Sequence, residues 1–154
     1  MRPFLFRMVY NLAEPIYNTR MSIKLPPGRY FVGDPCYVFS REDWDNFACD
    51  AILDGKETMK DLPYFAAHTA NGDGEFRGSN GFKFGVDAGL LGAIPEALIT
   101  KQPSPEDGVF IDAPLGLSCS EDGGMFHFGF LSIDTNDQED EDDFSTEDDD
   151  DDET

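Results

Sequence analysis

Cys36 is the side chain in this sequence with the greatest capacity for covalent chemistry, and it follows a Gly-Asp-Pro turn at residues 33–35. A cysteine becomes a nucleophile when a neighbouring histidine takes its proton and an acid orients the imidazole ring. His68 or His127 could take the proton and Asp87 could orient the ring, although only folding could bring them together. A cysteine beside a turn usually serves as a small apolar residue with an unreactive thiol. We favour packing and keep a small cysteine-dependent hydrolase or transferase as the alternative.

Three aspartates in turn-like stretches form a second candidate group. Asp34, Asp73 and Asp87 each lie within two residues of a glycine, and glycine supplies the backbone conformations of tight turns. If folding gathers the three carboxylates at one edge, they would bind a cation or a basic group. The stretch from residue 71 is not a twelve-residue calcium loop, because Phe76 and Phe82 stand where that loop requires glycine and glutamate.

Cysteine and histidine spacing argues against a metal or cofactor. Structural zinc sites usually include two such ligands separated by about two to four residues. No pair in this set has that spacing: Cys36, Cys49, Cys119, His68 and His127. We therefore predict no metal and no cofactor. The odd number of cysteines is typical of free thiols in a reducing compartment, so we do not expect a secreted protein.

Charge is distributed very unevenly along the chain. The 154 residues carry 32 acidic and 11 basic side chains, a net charge of −21. Residues 1–134 hold 19 acidic and all 11 basic side chains, a net −8, whereas residues 135–154 hold 13 acidic and no basic side chains, a net −13. Such a field repels nucleic acid and anionic membranes and attracts basic proteins. We predict a basic protein partner for residues 135–154, with no direct nucleic-acid or membrane binding.

The segment 135–154 is also predicted to be a disordered acidic tail. Phe144 is its one apolar residue, so it cannot bury enough surface to offset the entropy of ordering. Ser145 and Thr146 each precede an acidic residue by three positions, which resembles the sites of acid-directed kinases. Phosphate at either residue would add a charge of about −1.5 to −2.

Residues 22–134 contain the periodic segments of one folded domain, with residues 1–21 as a loose extension. Ser40 is a good N-cap, and Trp44 and Phe47 recur at helical spacing, which predicts one main helix at residues 41–52.

Aromatic and β-branched residues predict strands on both sides of that helix. The strand segments are residues 29–33, 36–39, 108–112 and 124–134, and residues 64–89 are predicted to be strand and turn, with a tight turn at Asn80-Gly81 between apolar runs. In the last of them, Phe126, Phe128 and Phe130 should alternate onto one face. We predict an α+β domain with a mostly antiparallel sheet of five or six short strands.

Two long stretches of the chain carry distinctive short motifs. The stretches are LPPGRYFVGDPCYVFSREDWDNF and NGDGEFRGSNGFKFGVDAGLLGAIP. Their G-D-x-C-Y turn and the later G-D-G and V-D-A-G motifs resemble those of a family of small uncharacterised proteins from tailed phages and large algal viruses. The resemblance covers residues 24–95 and implies a viral origin and a compact β-rich fold, but it carries no activity. It also implies a location in the host cytoplasm or nucleus, or in the virion.

These observations favour a non-enzymatic viral interaction protein whose acidic tail engages a basic partner. The first alternative is the Cys36 enzyme, which a deep pocket beside that residue would favour. The second alternative is a minor structural component of the virion, which an exposed apolar patch would favour. The oligomeric state stays open.

Overall fold

The computed structural model describes residues 20–136, in which two four-stranded antiparallel sheets face each other and one helix covers the second sheet. The strands are β1 (Arg20–Leu25), β2 (Gly28–Gly33), β3 (Thr58–Met59), β4 (Leu62–Pro63), β5 (Phe65–His68), β6 (Gly74–Arg77), β7 (Lys83–Val86), β8 (Leu90–Pro95), β9 (Gly108–Ala113), β10 (Leu117–Asp122), β11 (Met125–Phe128) and β12 (Leu131–Asp134). The helix α1 (Arg41–Ala48) continues as a π-helical turn, Cys49–Leu53, and short 3₁₀ helices span Pro35–Tyr37 and Glu96–Leu98.

The main core lies between the two large sheets. The first sheet has the strand order β1-β10-β11-β12 and the second has the order β5-β8-β2-β9, while β3-β4 and β6-β7 form two separate hairpins. Phe65 of the second sheet meets Phe126 and Phe128 of the first edge-on, with ring centroids 6.4 and 5.8 Å apart. Edge-to-face packing of buried aromatic rings stabilises this contact between the sheets.

A smaller core lies on the other face of the second sheet, under α1. Phe47 of the helix is fully buried, with its ring centroid 4.9 Å from those of both Phe39 and Tyr64. Phe31 and Ile94 belong to the same cluster. Because both faces of this sheet are covered, β8 is a continuous apolar run rather than an alternating one, as is typical of fully buried strands.

The α+β class, the main helix and the mostly antiparallel pairing are confirmed. Helix α1 begins at Arg41, and the Ser40 side chain accepts a hydrogen bond from the Asp43 backbone N–H at 3.3 Å. The predicted number of five or six strands is wrong, since residues 20–136 contain twelve. Strands β1 and β10 were not predicted because serine and charged residues interrupt their apolar positions, and their pairing partner is distant in sequence.

Two local predictions are also wrong. Residues 36–39 do not form a strand, because Pro35 and the Asp34 cap start the 3₁₀ helix there. Phe130 does not share a face with Phe126 and Phe128, because the chain turns after Phe128 at Gly129, whose φ of +63° favours glycine. Phe130 stands in that turn, fully exposed.

The described residues extend slightly beyond the predicted domain of 22–134. Strand β1 begins at Arg20, and Thr135 is fully buried. The Thr135 hydroxyl donates to the Gly124 carbonyl at 2.6 Å and accepts from the Ala70 backbone N–H at 2.9 Å. The rest of the predicted extension and tail, with Phe144, Ser145 and Thr146, lies outside the described residues. Among residues 20–136, no helix combines the length and apolarity that a membrane crossing requires.

Candidate functional site

The centre of the candidate site is the buried carboxylate of Asp34, at the end of β2. Its Oδ1 accepts a hydrogen bond from the Cys36 backbone N–H at 2.9 Å. Its Oδ2 accepts from the backbone N–H groups of Asp87 at 2.8 Å and Ala88 at 2.7 Å. One side chain therefore ties the turn after β2 to the turn after β7.

Burial and hydrogen bonding shift the pKa of Asp34 in opposite directions. Burial raises the pKa of this carboxyl above its usual range, and the backbone N–H donors of Ala88, Cys36 and Asp87 oppose that rise. Such donors favour the charged form, because the carboxylate is the stronger acceptor. With no solvent exposure and both oxygens hydrogen-bonded, Asp34 is placed to hold backbone rather than to bind a ligand.

The side chain of Asp87 is exposed at the junction where the turn after β2 meets the turn after β7. The Tyr37 hydroxyl donates a hydrogen bond to Asp87 Oδ2 at 2.7 Å. Burial raises the pKa of the Tyr37 phenol, and the hydrogen bond to Asp87 raises it further because the neutral phenol is the donor. The Asp87 carboxylate therefore adds a further, exposed hydrogen bond between the turn after β2 and the turn after β7.

Asp73 lies close to the same pair of turns, beside Gly89. A β-carbon placed on Gly89 would lie 3.7 Å from Asp73 Oδ1. The Thr69 backbone N–H donates to the Gly89 carbonyl at 3.0 Å, which brings the turn containing Asp73 beside Gly89. Folding therefore brings the three aspartate-containing turns together, yet within residues 20–136 no group of three or more acidic, cysteine or histidine side chains could hold a metal ion.

Cys36 is half-buried beside the Asp34 carboxylate. Burial raises the pKa of its thiol, as do the negative charges of Asp34 and Asp87, while the more weakly acting Lys101 lowers it. A nucleophilic cysteine needs the opposite surroundings, namely cationic groups that favour the thiolate. These contacts fit the packing interpretation of Cys36.

Among residues 20–136, no hydrogen bond or ion pair joins Cys36 to either histidine. His68 ends β5, where it pairs with Leu90. His127 is exposed on β11, between Ser120 and Ser132 of the adjacent strands. The charge of Asp87 acts on the Cys36 thiol, whereas neither histidine is among the groups that shift the pKa of that thiol.

Sequence reasoning missed an apolar groove beside β9. The groove has a volume of about 620 Å³ and is bordered by the turns after β9 and after β11. Leu115 and Phe130 stand in these two turns with 86% and 105% of their surface exposed. The sequence does contain a pattern that could have predicted it: a large apolar residue stands next to turn-forming glycine or proline in Pro114-Leu115-Gly116 and in Gly129-Phe130. Large apolar side chains that gather at exposed turns are typical of interaction surfaces.

Comparison with protein-family models, with curated proteins and with solved structures finds no match for this chain. Function is therefore inferred from the charge, burial and contacts of the chain itself.

Proposed function

We propose that this chain is a non-enzymatic viral interaction protein that recruits a basic protein partner through residues 135–154, in the host cytoplasm or nucleus. The observation that carries the proposal is the charge of that segment, which has 13 acidic and no basic side chains. Charge of one sign attracts a basic surface over several ångströms and raises the rate of encounter. The viral origin is supported by the resemblance of residues 24–95.

The surroundings of Cys36 support binding over catalysis. Burial raises the pKa of its thiol, and the charges of Asp34 and Asp87 raise it further. The backbone N–H groups of Cys36 and Asp87 bind the Asp34 carboxylate and so hold the turns after β2 and β7 together.

The experiment compares the full chain with a variant in which the 13 acidic residues of 137–154 are changed to asparagine or glutamine. This control keeps the length of the tail and also keeps Thr135, which is part of the core. Proteins captured from infected cells by the two chains would be compared at rising salt. The Debye length falls from about 10 Å at 0.1 M to about 3 Å at 1 M, so capture by the full chain should fade while the neutral variant captures little throughout.

The association and dissociation rates of the complex provide a second measurement of the same proposal. With a captured basic protein, neutralising the tail should lower the association rate more than it raises the dissociation rate, because long-range charge acts mainly on encounter. Changing Ser145 and Thr146 to glutamate should strengthen binding slightly. If both chains capture the same proteins with the same salt dependence, the tail does not recruit and the proposal is wrong.

The groove beside β9 favours a second candidate function, a minor structural component of the virion. Exposed Leu115 and Phe130 would then pack against a neighbouring capsid protein. Mass spectrometry of purified particles distinguishes this candidate, because an interaction protein of the infected cell should be lost on purification.

A further inference from the structure

Strand β9 presents an open edge. It pairs with β2 along Gly108–Ala113, and no other strand of residues 20–136 pairs with its opposite side. An edge strand carries a row of backbone N–H and C=O groups that can pair with another chain. Its residues from Gly108 to Ile111 are only half-buried. β9 can therefore accept an additional strand.

The groove lies directly along this edge. All residues from Val109 to Ala113 border it; Val109 and Ile111 pack toward the main core, whereas Phe110 between them packs toward the smaller core. A strand added beside β9 would place every second side chain on the groove side, because successive side chains of a strand point to opposite faces. Those side chains would reach the exposed Leu115 and Phe130.

The charge of the chain indicates which kind of segment could bind in the groove. Asp112 is the one charged residue among the described residues that line the groove; its side chain is 80% exposed and forms an ion pair with Arg29 at 3.3 Å. A second copy of the chain would bring another net charge of −21 to the same edge. A segment with basic residues would instead be attracted by the net negative charge of the chain.

We infer that the β9 edge binds an extended segment of a partner protein, about six residues long, with alternating apolar side chains and flanking lysine or arginine residues. The segment would pair with the backbone of β9 and insert its apolar side chains between Leu115 and Phe130, a mode of recognition known as strand addition. The inference does not depend on the acidic tail.

The experiment selects binders from a displayed library of short random peptides on the immobilised full chain. Binding is then measured to the full chain, to a Leu115→Ala/Phe130→Ala variant and to a Leu53→Ala control. All three substituted residues are highly exposed, so the folded domain should persist in each variant, and Leu53 lies outside the groove. Selected peptides should alternate apolar residues and carry basic ones, and the double variant should weaken binding by about tenfold or more, as expected for central interface anchors.

Backbone pairing requires its own measurement. Amide hydrogen exchange at β9 should slow when a selected peptide binds, and N-methylation of alternate peptide N–H groups should abolish binding. In a chain with a neutralised tail, Leu115→Ala/Phe130→Ala should still weaken peptide binding. This result would separate the test of the groove from the test of the proposed function.

Four results would overturn the inference. The first is a selection that yields no peptide or peptides without the alternating pattern, and the second is binding that is insensitive to Leu115 and Phe130. The third is unchanged exchange at β9. The fourth is occupation of the groove by the chain itself, seen as self-association that the double variant abolishes or as peptide binding that appears only after residues 1–19 are removed.

Discussion

Asp34 and Asp87 are joined by a hydrogen bond from the backbone N–H of Asp87 to the buried carboxylate of Asp34, at 2.8 Å and across 53 residues of sequence. The bond connects the G-D-P-C-Y turn of residues 33–37 to the V-D-A-G turn of residues 86–89, two motifs that stand 53 residues apart in the chain. Together with the bonds from Cys36 and Ala88, it gives these motifs a structural role in this fold.

Changing Asp34 to alanine should strongly destabilise the protein. The substitution removes the acceptor of three backbone N–H groups, and each buried donor without a partner costs about 1–3 kcal/mol. We expect the free energy of unfolding to fall by about 3 kcal/mol or more, measured by chemical denaturation. Asp34→Asn keeps one acceptor oxygen and should lose less.

Tyr37→Phe is the matched control at the same junction. It removes the single hydrogen bond to Asp87 at the exposed rim and should cost about 1 kcal/mol. An Asp34→Ala variant no less stable than Tyr37→Phe would show that Asp34 does not hold the two turns together.

The three cysteines should differ in their rates of alkylation. Cys49 is exposed and should react first. Burial raises the pKa of Cys36, and it raises the pKa of Cys119 to about 12. Because the thiolate is the reactive form, both should stay slow at pH 8 and speed up as the pH rises toward their pKa values. Mass spectrometry of partly alkylated protein gives the order, and reaction of Cys36 ahead of Cys49 would support the enzyme alternative.

Substitution of Cys36 tests packing directly. Cys36→Ser places a hydroxyl in a half-buried position and should cost about 1–3 kcal/mol of unfolding free energy, whereas Cys36→Ala should cost less. Partner binding should be unchanged in both variants if the thiol has no chemical role.

Two glycines of β2 should respond differently to alanine. A β-carbon on Gly33 would lie 2.8 Å from Phe31 Cζ and 2.9 Å from the Asp107 carbonyl oxygen, while one on Gly28 would lie 3.7 Å from the Tyr30 ring. Gly33→Ala should therefore cost about 1–3 kcal/mol by overpacking. Gly28→Ala should stay within about 0.5 kcal/mol. Equal thermal unfolding midpoints for the two variants would contradict this packing of Phe31 over the end of β2.

The sequence by itself determined the features that depend on neighbouring residues. The start of α1 was predictable because the Ser40 cap and the spacing of Trp44 and Phe47 act within two turns of helix. The strand at β2 was predictable from its aromatic and β-branched residues, and the charge of the tail follows from composition alone.

The tertiary structure decided the features that depend on contacts distant in sequence. Asp34 became a structural residue because folding placed the N–H groups of Asp87 and Ala88 against its carboxylate. Phe130 became exposed because a turn at Gly129 ends β11, and a shift of one residue moves a strand side chain to the opposite face. Local patterns do not encode which turns meet or where a strand ends, since burial and pairing with distant strands supply the free energy that decides both.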